Sequence, residues 1–142
     1  MLILPADQKI LLTWLIESED IFRQIEKYIT PEDFSEGLFR KVAELLYEQY
    51  EKHEANPAQI MNHFTDEEEH REVAGLFHTK IKELTTVKKQ EKALQETILR
   101  VKDHSIEEAT KNLDPTDIQG LQRLMNEKRK MQDLRTLHIS IN

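Results

Sequence analysis

Cysteine is absent from the sequence. Its absence removes disulfides, thiolate nucleophiles and Cys-based zinc sites together, and suits a cytoplasmic protein. Glycine is nearly absent as well. Gly37, Gly75 and Gly120 stand alone, so no glycine-rich loop is present to cradle a nucleotide or dinucleotide phosphate. No apolar run approaches the roughly 18 residues that a membrane span needs. The opening "MLILP" is too short for a signal-peptide core and has no basic leader. Aromatic residues are scarce at 6% and stop at Phe77.

What remains is a chain of 142 residues, 38% hydrophobic, with only four prolines. That composition describes a helical globular domain, alone or with a small appendage. The net charge of −7 is unevenly spread. Residues 1–78 carry 7 Lys/Arg against 17 Asp/Glu, and residues 79–142 carry 13 against 10. An acidic first half argues against wrapping a nucleic-acid backbone, where neutralised phosphates supply most of the affinity.

Prolines and capping patterns divide the chain. Asn56 precedes Pro57, and "TDEE" (Thr65 to Glu68), "SIEE" (Ser105 to Glu108) and "TDIQ" (Thr116 to Gln119) have the spacing of a capping box. These marks predict eight helices, at about 6–16, 18–28, 35–53, 57–64, 66–83, 86–103, 105–113 and 116–138. No strand is expected; "LHISI" near residue 140 comes closest, since alternation lasts longest there. The fold expected is all-α, an N-terminal bundle of about six helices (1–103) followed by a C-terminal helical hairpin (104–142).

The clearest amphipathic helix is "EGLFRKVAELLYEQY", where Leu38, Val42, Leu45, Leu46 and Tyr50 fall at helical spacing. With Ile10, Leu11, Trp14, Leu15, Ile21, Phe22, Ile25, Phe34 and Phe39 they are expected to fill one core. Ile60, Phe64, Val73, Leu76, Phe77 and Leu84 extend it.

Candidate chemistry is sparse. Glu67 and His70 form the single Glu-x-x-His pair, whereas a di-iron bundle needs two such pairs and two further carboxylates. "TDEEEHRE" reads instead as an acidic start, favourable at the positive end of a helix dipole. The basic run "EKRK" (Glu127 to Lys130) reads as a solvated helix face. "SIEEATKNLDPTDIQGLQRLM" has the outline of a helix-turn-helix, but its second helix opens with Asp117 and lacks basic residues where phosphates would be met. A structural hairpin is the better description. No catalytic residue, metal site or cofactor is expected.

The hairpin raises a question of burial. At 100° per residue, Ile118, Leu121 and Met125 share one face of the last helix. Leu124, Met131, Leu134 and His138 share another, roughly a third of a turn away. A first arm at 105–113 offers only Ile106, Ala109 and Leu113, enough for the first face. The second is left uncovered and is expected to be a partner site, with Leu134 and Leu137 largely exposed; the alternative is that it packs back on the bundle.

The segments "ITPEDFSEGLFRKVAELL", "KKQEKALQETILRVK" and "LMNEKRKMQDLRTLHISIN", in that order and spacing, resemble the C-terminal helicase-binding domain of bacterial DnaG-type primase. The resemblance covers essentially the whole chain. It implies a helical bundle that modulates the replicative helicase and a hairpin that grips the N-terminal domains of the hexameric helicase. Carried onto this sequence, the grip falls on Leu124, Met131, Leu134, Leu137 and His138. Lys128, Arg129, Lys130 and Arg135 form an electrostatic rim that sets association rate and salt sensitivity. The zinc-binding and polymerase portions of such a primase are absent, so the resemblance implies a fragment that makes no primers by itself. No membrane and no direct nucleic-acid contact are expected.

Two alternatives stand beside it. "PEDF" and "LFRKVAELL" also resemble the N-terminal domain of a replicative helicase, which would continue through a linker into a P-loop motor. A helical-bundle enzyme would need a second carboxylate/histidine pair.

Overall fold

The computed structural model describes residues 5–78 and 86–141. Within them the protein is all-helical. Its elements are α1 (Pro5–Glu17), α2 (Glu19–Ile25), a 3-10 turn (Pro31–Asp33), α3 (Leu38–Glu51), α4 (Ala58–Asn62), α5 (Glu67–His78), α6 (Val87–Lys111) and α7 (Ile118–Thr136). The expected end of the fifth helix at 83, and Leu84 with it, lie outside the described residues.

Side-chain caps start α2, α5, α6 and α7. The Ser18 side chain accepts from the Ile21 N–H at 3.2 Å, so α2 begins with Ser18 alone between it and α1. Thr86 caps α6 in the same way through the Lys89 N–H. Two expected capping boxes resolve into simpler caps one residue on. Asp66 accepts from the Glu69 N–H and Asp117 from the Gly120 N–H, both through their carboxylates. A complete reciprocal box occurs where none was expected, between Thr30 and Asp33 around the 3-10 turn.

The core gathers α1, α2, α3, α5 and α6. Leu11, Leu12, Leu15, Phe22, Ile25, Ile29, Val42 and Leu46 have no exposed surface. Phe22 is its aromatic centre, edge-on to Tyr47 and tilted against Tyr50, each ring 4.7 Å away. Both tyrosines satisfy their hydroxyls on backbone carbonyls, Tyr47 on Ile29 at 2.7 Å and Tyr50 on Leu15 at 2.6 Å. Burial pushes the Tyr50 phenol up to about 12. It pushes Tyr47 higher still, and the Asp33 charge adds to that shift. These hydroxyls therefore stay protonated donors that tie α3 to the ends of α1 and α2.

Six expected core residues are not fully buried: Ile10, Trp14, Leu38, Phe39, Leu45 and Phe77, the last five packed against the core as partly buried residues. Ile10 is 40% exposed, and Trp14 is half-buried at the edge of the core. Gln8 and Thr13 are buried on α1 instead, because each has a polar partner. Gln8 exchanges hydrogen bonds with Ser35, and Thr13 donates to carbonyls of Lys9 and Leu76.

The larger correction concerns the expected break near 104. Helix α6 runs without interruption for 25 residues, through the expected boundary at 103/104. Ser105 does not cap a new helix. It sits in mid-helix and donates its hydroxyl to Asp33 Oδ1 at 2.7 Å. No glycine or proline lies between 86 and 114 to stop the helix. The first arm of the hairpin is therefore α6, and the same helix closes the bundle.

Two substitutions rank the core. Phe22→Ala should destabilise the chain by about 3–5 kcal/mol, the range for a buried large aromatic. Trp14→Ala should cost distinctly less, because its ring keeps part of its surface in water. Thermal or urea melts of the two variants check the order; equal losses would place Trp14 in the core after all.

Candidate interaction surface

The hairpin turns at "NLDPTD". Asp114 accepts from both the backbone N–H and the hydroxyl of Thr116, at 2.9 and 2.8 Å, and these bonds hold its carboxyl below the usual value. Asp117 then starts α7. Gly120 is fitted to that cap: a Cβ there would lie 2.5 Å from Asp117 Oδ2 and 2.7 Å from Leu113 Cδ1. The glycine lets α7 close on the turn.

From the turn, α7 runs antiparallel along α6. Glu127 meets Lys102, and the Gln95 amide donates to the carbonyls of Leu134, Arg135 and Leu137. That amide satisfies the Arg135 and Leu137 carbonyls at the end of α7 and shares the Leu134 carbonyl with the Leu137 N–H. Length decides what is covered. At ~1.5 Å per residue, α6 is roughly 37 Å long and α7 roughly 28 Å. The expected arm of nine residues would reach about 14 Å by the same rise. A full-length α6 covers the face carrying Leu124, Met131 and Leu134, which are 9%, 7% and 2% exposed.

The two faces are thus exchanged relative to expectation. Leu124, Met131 and Leu134 are not an uncovered grip, and Leu137 is half-buried. Among the expected contact residues His138 alone is well exposed, its ring 3.8 Å from Glu91. The face expected to be covered points outward: Ile118 is 69% exposed, Leu121 40% and Met125 66%. Gln122, Lys128 and Arg129 flank these three on the helical wheel and are exposed too. Arg135 is exposed near the end of the helix, while Lys130 is drawn inward to Glu127 at 3.0 Å. The outer face of α7 therefore combines three unpartnered apolar side chains with Lys128 and Arg129.

What fixes this rotation is a buried charge that the sequence reading passed over. Lys102 has no exposed surface, and its ammonium donates to Asp33 Oδ1 and Oδ2 at 3.1 and 3.2 Å and to Glu127 Oε1 at 2.6 Å. Asp33, itself buried, also accepts from Ser105 and from the Thr30 N–H. One ammonium thus joins the 3-10 turn, α6 and α7. Burial alone would raise the Glu127 carboxyl, but hydrogen bonds from Lys102 and Lys130 outweigh it and hold the group below its usual value.

Other candidates resolve into surface. Glu67 and His70 are both exposed at the start of α5. Among the described residues, no group of three or more His, Asp or Glu is placed to hold a metal ion. A shallow cleft of about 480 Å³ between α1, α3 and α5 is walled by Lys9, Glu68, Glu69, Arg71 and Glu72. Lys9 and Glu72 approach to 3.8 Å across it. No helix among the described residues is long and apolar enough to cross a membrane.

Compared with known proteins, the chain matches no family model, no curated protein and no solved structure.

The buried network makes two checkable statements. Lys102→Met should destabilise by about 3–5 kcal/mol, because it leaves the buried Asp33 carboxylate without its cation and Glu127 with Lys130 alone. The folded pKa of Glu127 lies below its unfolded one, so its contribution is present above the usual carboxylate value and is lost as pH falls through the folded value. Wild type should therefore lose more stability than Glu127→Gln between about pH 5 and pH 3. Parallel acid-limb curves for the two proteins would expose an error in that sign.

Proposed function

We propose that this chain is a non-catalytic interaction domain that tethers a bacterial DNA primase to the replicative helicase during primer synthesis, in the cytoplasm. The observation that carries the proposal is the outer face of α7. Ile118, Leu121 and Met125 are exposed together on a rigid helix whose opposite side is core. Single exposed apolar side chains are ordinary on protein surfaces, but a contiguous apolar stripe rimmed by polar residues marks interaction sites. The resemblance of three ordered segments to the helicase-binding domain of DnaG-type primase supplies the partner, the N-terminal domains of the helicase hexamer.

The proposal moves the grip one face round the helix. Ile118, Leu121 and Met125 take the apolar contact, with Lys128 and Arg129 at the rim. Leu124, Met131 and Leu134 hold the hairpin on the bundle and act on binding only through stability. Each apolar side chain buried at an interface contributes on the order of 1.5–3 kcal/mol of transfer free energy. The rim charges act on encounter, since exposed cations steer association and are screened by salt. No step of chemistry is assigned to this domain, and its acidic first half is not a nucleic-acid surface.

A titration against the helicase N-terminal domain separates the two faces. Leu121→Ala/Met125→Ala should weaken binding by about a hundredfold or more, at ~1.4 kcal/mol per decade, with the melting temperature unchanged. Leu134→Ala should instead cost about 2–5 kcal/mol of stability as a core truncation. Lys128→Glu/Arg129→Glu should slow association and flatten its salt dependence. A wild-type chain that fails to bind the helicase domain would end this proposal.

A further inference from the structure

After α7 the chain continues toward the N-terminal end of α6 and against α2. Residues 137–141 have no regular structure, and their side chains alternate in burial. Ile139 is 2% exposed, Leu137 and Ile141 are half-buried, and His138 faces solvent. A period of two belongs to an extended chain, and Leu137 has extended backbone angles. Among the described residues no strand receives this segment. Its backbone is read by side chains of α2 and α6.

Gln24 on α2 takes both polar groups of Ser140: its Nε2 donates to the Ser140 carbonyl at 2.8 Å and its Oε1 accepts the Ser140 N–H at 2.9 Å. On α6, Glu91 Oε2 accepts the Ile141 N–H at 2.9 Å, and Gln95 Nε2 donates to the Leu137 carbonyl at 3.0 Å. None of these bonds depends on the side chain of the residue it holds. Side-chain selection rests on Ile139, which is buried in the apolar core. Backbone pairing for affinity and alternate side-chain pockets for specificity are the two elements of extended-peptide recognition.

We propose that the groove between α2 and α6 is a binding site for an extended peptide segment of a partner protein, which residues 137–141 occupy in cis. The segment it takes has apolar side chains at alternate positions, Ile or Leu at the central one, and an unsubstituted backbone N–H at the residue after it. The seated segment is the template for that chemistry. A partner segment would remake the same hydrogen bonds to Gln24, Glu91 and Gln95, so exchange loses none of them. The resident segment can leave without opening a helix, because α7 ends at Thr136. While it stays, it competes with any partner and lowers the apparent affinity by the fraction of chains whose groove is empty. The groove is thus a gated site. It stands apart from the outer face of α7 and does not depend on the identity of the partner proposed there.

The test uses the full chain and a fluorescein-labelled peptide of its own segment, "RTLHISIN" (Arg135 to Asn142). Ile139→Asp should release the resident segment and leave the groove intact. The peptide should bind that variant saturably and about tenfold or more tighter than it binds wild type. A peptide methylated on the Ser140 nitrogen cannot donate to Gln24 and should bind about tenfold more weakly, near the full loss of a hydrogen bond. Adding Gln24→Ala to Ile139→Asp should weaken binding similarly. If Ile139→Asp lacks a cooperative melt, Ile141→Asp, which changes a half-buried residue, replaces it with the same expectations. A folded variant that does not bind the peptide, or that binds the methylated peptide equally well, overturns the proposal. A wild-type chain that forms dimers by exchanging residues 137–141 would assign the groove to a second copy and overturn the partner as well.

Discussion

A single buried ammonium orders this molecule. Lys102 lies at the meeting of the 3-10 turn, α6 and α7, and its partners Asp33 and Glu127 come from segments 94 residues apart. An unpaired buried charge is among the most costly defects a fold can hold, of the order of several kcal/mol. Any arrangement that rotates α7 away from Glu127, or lifts the 3-10 turn from α6, incurs that cost. The pairing thereby selects one rotation of α7. With Glu127 turned inward, Leu124, Met131 and Leu134 follow on the same side, and Ile118, Leu121 and Met125 are left in water.

The same constraint links the hairpin to the bundle. Asp33 accepts the Thr30 N–H within its own turn, and Lys102 and Ser105 of α6 meet its carboxylate together. Helix α6 contributes to both sides: Leu94, Ile98 and Val101 enter the core, while Lys102 reaches α7. The returning segment 137–141 then seals the structure through Ile139 and the amide of Gln24. The hairpin is accordingly continuous with the bundle, and its free surface is the outer face of α7. A rigid helix with its inner side fixed presents that face with little ordering left to lose on binding, which favours affinity.

Much of the architecture was legible in the residues. The apolar spacing of Leu38, Val42, Leu46 and Tyr50 predicted α3, and "NLDPTD" predicted the hairpin turn. Ser105 misled because a Ser-x-x-Glu pattern states only that a cap is chemically available; the Asp33 carboxylate, distant in sequence, offered its hydroxyl a better partner. The uninterrupted helix-forming residues from 87 to 111 were the signal that outweighed it. A first arm of nine residues reverses the faces of α7. Periodicity identifies faces but does not say which one meets the core. Lys102 was invisible for a related reason: a lysine beside "ILRV" reads as solvent-facing until Asp33 and Glu127 are seen around it. Ile10 and Trp14 fit the core by spacing, but the hydrogen-bonded Gln8 and Thr13 claimed the buried side of α1.

The orientation of α7 carries the account, and a chain without cysteine allows it to be measured in otherwise native protein. Single thiols at Met125→Cys and Met131→Cys should be labelled with a small thiol reagent under folding conditions. The account predicts that the thiol at 125 reacts at nearly the rate of a free thiol. The thiol at 131 should react only as fast as the hairpin opens, slower by orders of magnitude as expected for a core position. A protected thiol at 125 with a freely reactive one at 131 would show α7 turned the other way, and would return the grip to Leu124, Met131 and Leu134.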